Sequence, residues 1–127
     1  MKRLTIITCV VLAVSLAICV ASMWMLDRIL DDAHTKVTEV FVSMEQGDVT
    51  RAREGLVALA TLWDEKADLL EMLCSHDDLH EVKERIIEAE ICVAYTDMED
   101  FYGSVALIGE GIEHIREKEA LSLANLY

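Results

Sequence analysis

The sequence predicts an all-α protein, an N-terminal transmembrane helix continuing into an antiparallel four-helix bundle. Three observations carry this. Residues 4–26 read LTIITCVVLAVSLAICVASMWML, 23 residues without a charge. Beyond them, apolar residues recur at spacings of three and four for most of the chain. Proline is absent and only 5 glycines occur in 127 residues, so little interrupts a helix.

The first element is the anchor, residues 1–26. At about 1.5 Å per residue its apolar run spans roughly 35 Å, enough to cross a bilayer with some tilt. Lys2 and Arg3 precede it, and positive charge ahead of a span tends to stay in the cytoplasm. The rest of the chain, 27–127, is then expected outside, as an acidic extracytoplasmic helical domain. A cleaved signal peptide is the rival reading, since Cys19-Val20-Ala21 is a passable cleavage site. The apolar run outlasts a signal core, however, and continues through Trp24, Met25 and Leu26. Ile18 stands where a lipoprotein would need a small residue before Cys19.

Charge bounds the partners. All 24 acidic residues lie beyond position 26, against 9 of the 11 basic ones, a net charge of −15 for 27–127. Such a field repels nucleic acid and anionic headgroups and suits cations or a basic partner. No nucleic acid is expected as a partner. The membrane, through residues 4–26, and a protein of the same membrane are, and a homo-oligomer is compatible with the sequence.

The first helix should leave the membrane unbroken. Leu26, Leu30, Ala33, Val37, Val40 or Phe41, and Met44 form its apolar stripe. Gln46-Gly47-Asp48 should end it, with Gly47 at the C-cap and Asp48 capping the next helix. A second helix over about 49–74 carries Val49, Ala52, Leu56, Leu59, Trp63, Leu70 and Leu73. Residues 75–78 break the chain, and Asp78 with Glu81 reads as a capping box. A third helix over about 79–102 has two stripes, Leu79, Val82, Ile86 and Val93, then Ile87, Ile91, Ala94, Met98 and Phe101. Two stripes predict packing on two sides. Gly103-Ser104 reads as a turn or kink, and a fourth helix follows from about 105 with Ile108, Ile112 and Ile115 inward. Gly109 and Gly111 should weaken it or admit a close neighbour. Leu121, Leu123, Leu126 and Tyr127 form an apolar end expected to dock. The expected core is Leu56, Trp63, Leu70, Ile86, Val93, Phe101, Ile108, Ile112 and Ile115. A 34-residue helical repeat, which would suggest a helix-hairpin array instead, is not found.

Chemistry is sparse. No arrangement of Ser, Cys or His suggests a nucleophile, and no glycine-rich phosphate loop occurs, so no catalytic residue and no cofactor is assigned. His76, Asp77 and His80 are the weak metal candidates, with Asp77 and His80 three apart on a helix. A di-iron bundle would need two Glu-x-x-His motifs and two further glutamates, which are missing. A polar interhelical turn is the plainer reading. Asp27, Asp31 and Asp32 read as a solvated face, with no calcium-loop pattern. Cys9 and Cys19 lie in the apolar run. Cys74 and Cys92 are not expected to pair, because a hairpin turning near His76 leaves them roughly 20 Å apart along the axis, against the about 7 Å limit for a disulfide.

The residues also resemble a family. The basic start and single span are one part of the likeness. Leu62-Trp63 and Lys66, followed by His76 and Leu79, are a second. His114-Ile115, Glu117, Glu119 and the ending Leu121-Ser122-Leu123-Ala124-Asn125-Leu126-Tyr127 are the third. With these the chain resembles the small bacterial membrane-anchored proteins grouped as domain of unknown function 4363. Asn125-Leu126-Tyr127 departs from the Asn-Ile-Phe-like endings expected there. The resemblance implies a helical domain on one anchor, brings no known activity, and implies a setting among other small membrane proteins.

Two functions follow as expectations. One is a non-enzymatic interaction module that binds or stabilises a partner in the same membrane. The alternative is an extracytoplasmic sensor domain for a cation or small ligand.

Overall fold

A computed structural model describes residues 1–124, and the side chains of 1–121. All of its regular structure is helical: α1 (Lys2–Glu45), α2 (Val49–Glu65), α3 (Ala67–Leu73), α4 (His76–Ala94) and α5 (Met98–Ala124).

The first helix is unbroken through 44 residues, from the apolar run into the bundle. Its first buried residue is Leu26, and Ile29, Leu30, Ala33, Val37 and Val40 follow on one face. The helix therefore changes from apolar all round to one-sided near Asp27. It ends as expected. Gly47 takes φ +72°, which a glycine adopts without strain. Its N–H donates to the Met44 carbonyl and that of Asp48 to Ser43, closing the helix end with paired bonds. The Asp48 carboxylate then accepts from the Arg51 N–H at 3.1 Å and starts α2.

The second expected helix is two. Lys66 (φ −96°, ψ 1°) separates α2 from α3. The apolar stripe lapses there, with only Lys66 and Ala67 between Trp63 and Leu70 in the slots one turn on, so no large side chain holds the helix to the core.

The third and fourth helices meet earlier than the sequence suggested. Helix α4 stops at Ala94, and Gly103-Ser104 lies inside α5 rather than at a turn. The real stop is Tyr95-Thr96-Asp97, where Thr96 adopts φ +59° and Asp97 donates its N–H to Cys92. The Asp97 carboxylate accepts from the Asp100 N–H and caps α5. Ser104 is buried. The Asp78–Glu81 capping box does not form. Ser75 holds the N-cap of α4 without a side-chain bond, and Asp78 instead accepts from Lys118 at 2.9 Å.

The bundle closes in a ring in which α1 meets α2 and α5, and α4 meets α5 and α2. The registers run antiparallel. Gly55 lies against Val40, Arg53 reaches the Val93 carbonyl while Lys83 pairs with Asp64, Gly111 lies against Val82, and Arg116 pairs with Asp31 while Tyr102 meets Phe41. Leu56, Trp63, Leu70, Ile86, Val93, Phe101, Ile108, Ile112 and Ile115 are all buried in one cluster. Ile87 and Ile91 are not. They are 43% and 52% exposed, so α4 buries one stripe, not two. Leu121 is 64% exposed and does not dock. The Leu123 side chain, Leu126 and Tyr127 lie outside the described residues.

Candidate functional site

A groove lies where the apolar run meets the bundle. Helix α1 carries its apolar flank past the bundle residues of α3 and the last turns of α5. The groove, of about 670 Å³, is lined by Ile18, Trp24, Leu26, Leu30, Leu73 and Ala120 among others. Its walls are mainly apolar, with Asp27, Arg116 and Glu119 at the polar side.

Trp24 marks the boundary. It is 60% exposed at the end of the apolar run, and the Arg28 guanidinium carbon stands 4.8 Å from its ring centroid. The contact is a cation–π pair at the end of the apolar run. Above it, Arg116 of α5 bonds Asp31 of α1, with Asp27 and Glu113 each at 4.0 Å. The Arg116 Nε is buried without an acceptor, the only side-chain atom so placed among the described residues.

Cys74 stands at the end of α3 beside this region. Burial pushes its thiol up to about 11, with the Glu119 and Asp78 carboxylates adding to the rise. It is a poor nucleophile there. Cys74 and Cys92 are both free and half-buried.

The weak metal candidates sit on the exposed first turns of α4. His76 and His80 stack with ring centroids 6.2 Å apart, and His80 Nε2 lies 3.1 Å from Glu84. Asp77 does not converge with them. Among the described residues no three of His, Cys, Asp or Glu gather as a metal ion would require. His114 lies 3.9 Å from Asp78, which Lys118 already occupies. That bond and the Asp78 charge raise the Lys118 pKa.

Sequence reading missed Arg116 and the groove. Periodicity places Arg116 beside Ile115, but only the α1–α5 register brings it to Asp27 and Asp31.

A family model described as domain of unknown function (DUF4363) matches residues 20–126. The chain belongs to that family. Nothing matches among the curated proteins or the solved structures compared with it.

Proposed function

We propose that this member of the DUF4363 family is a non-enzymatic, membrane-anchored interaction module that binds or stabilises a partner protein in the same membrane. Residues 4–26 are its retained span in a bacterial cell membrane, with the N-terminus cytoplasmic and 27–127 outside.

The observation that carries this reading is the groove between the exposed flank of α1 and the ends of α3 and α5. It is apolar on the span side and charged on the bundle side, as a neighbouring protein entering from the same bilayer would require. Residues 4–21 of α1 are all exposed in the fold, so the circumference of the helix there is free for lipid or protein. Ala13, Ala17 and Ala21 lie along one face of it and allow close helix approach. Confinement to one plane raises effective concentration, so a small interface suffices. Lys2 and Arg3 favour the orientation given.

The cation-sensor reading draws less support, since His76 and His80 gather no third ligand. The test is a pull-down from native membranes with the wild-type chain and with Ala13, Ala17 and Ala21 all replaced by Leu. A discrete membrane protein should accompany the wild type and be lost from the variant, with insertion intact. Recovery of this protein alone, with no effect of the replacements, sinks the interaction reading and revives the sensor.

A further inference from the structure

We propose that a second surface, the groove between α4 and α5, docks a basic amphipathic helix of a partner protein. The proposal deepens the interaction reading by giving the chemistry of one contact, and shares with it only the premise of a protein partner.

The groove runs along the outer seam of α4 and α5. It holds two adjoining clefts of about 620 and 360 Å³, both lined by Leu107. Its apolar lining is Ile91 and Leu107, and Ile87, one turn before Ile91, stands outside both clefts; all three are at least 40% exposed. Helical branched residues one turn apart in water serve no packing need of this fold. Six carboxylates line the clefts, Asp78, Glu81, Glu88, Glu99, Asp100 and Glu110, of which Asp78 is already bonded to Lys118 at 2.9 Å with His114 beside it. The one guanidinium among them, Arg85, is bonded to Glu88 at 3.0 Å. An apolar strip between acidic margins is complementary to a helix with an apolar stripe flanked by Lys or Arg.

Gly103 adds an independent observation. It sits inside α5 and on the wall of the larger cleft. A Cβ there would meet nothing within 4 Å, and its φ is not positive. Gly55 and Gly111 differ, for a Cβ on either would stand 2.9 Å from a valine methyl. So the fold has no use for a glycine at 103, although glycine weakens a helix by roughly 0.5–1 kcal/mol relative to alanine. A partner backbone approaching closely gives it one. Asp97 and Asp100 point the same way. Asp97 accepts from the Asp100 N–H at 3.2 Å near the groove end, and hydrogen bonding with the Asp97 side chain, then its charge, raise the Asp100 pKa. A cation arriving there relieves the repulsion.

The occupant follows from charge and length. A second copy would bring acidic margins to acidic margins, and an anionic surface would be repelled likewise. The seam from Asp78 to Cys92 is 14 residues later on α4, about 21 Å, or four turns of a docked helix.

The test uses the full chain in nanodiscs of uncharged lipid. The probe is a fluorescent, stapled 14-residue helix with a leucine stripe flanked by lysines, read by anisotropy after subtraction of empty discs. Binding should weaken at least tenfold for Gly103→Gln, which fills the groove without a steric neighbour, and be unchanged for Ala58→Gln on α2. It should fall as salt rises, and a probe with glutamates for the lysines should not bind. Equal affinity for wild type and Gly103→Gln, or equal binding of the glutamate probe, overturns the proposal. So does self-association of the wild type abolished by Gly103→Gln, which would make the occupant a second copy. Ala13, Ala17 and Ala21 lie outside this groove, so their replacement by Leu should leave probe binding unchanged. Failure here with a pull-down that still responds to that replacement removes this proposal alone.

Discussion

Gly55 lies so close to Val40 that a Cβ on it would stand 2.9 Å from the valine Cγ2, and this contact sets the approach of α2 to α1. Gly111 does the same for α5 against Val82 of α4. Valine is stiff at χ1 and cannot swing aside cheaply. Gly55→Ala and Gly111→Ala should therefore each lower stability by about 1–3 kcal/mol, as overpacking does. Gly103→Ala, with open space around it, should raise stability by about 0.5–1 kcal/mol. Denaturant titration of the three variants in detergent checks the contrast, and a uniform sign would contradict the helix registers.

Thr96 holds a left-handed conformation, φ +59°, at the stop of α4. A β-branched residue pays for this in strain of about 1–2 kcal/mol. Thr96→Gly should recover about 1 kcal/mol, seen as a higher thermal midpoint. A loss would mean that the helix does not end there.

Cys74 titrates near 11 because burial, then Glu119 and Asp78, disfavour its thiolate. The unfolded thiol ionises lower, near its ordinary value of 9.0. Its contribution to stability is thus complete below about pH 9 and is lost as pH rises through about 11. Peptide-resolved alkylation should find Cys74 slow at pH 8 and still accelerating past pH 10. No peptide linking Cys74 to Cys92 should appear under non-reducing conditions. A plateau at pH 9 would mean that the end of α3 is open to water.

Topology has a direct check. Glu90 is exposed on α4. With the native cysteines replaced by serine, Glu90→Cys should react with a membrane-impermeant thiol reagent in intact cells. Reaction only after permeabilisation would reverse the orientation.

The stripe of α1 from Leu26 to Val40 was legible, because a run of that length has one period and one apolar face. So were Gly47 and Asp48, whose roles follow from local backbone chemistry. The core also followed, since Phe101, Ile108, Ile112 and Ile115 keep one face wherever α5 starts. The helix stops at Lys66 and Thr96 were not legible. Neither residue is a breaker, and each stop reflects packing of the neighbouring turns. Gly103-Ser104 misled in the other direction, as a glycine within a helix marks a turn only if the flanking turns let go. Both grooves were beyond the sequence, because Arg116 meets Asp27 and Leu107 joins Ile91 only through registers between helices.

The most direct test of the central claim is photo-crosslinking in native membranes. A photoreactive residue is placed at Ala120, in the groove beside the apolar run of α1, or at Val57, exposed on α2 away from it. The account predicts one discrete protein adduct from position 120, none from 57, and loss of the adduct when Ala13, Ala17 and Ala21 become Leu. No adduct from position 120, or the same adduct from both positions, would contradict it.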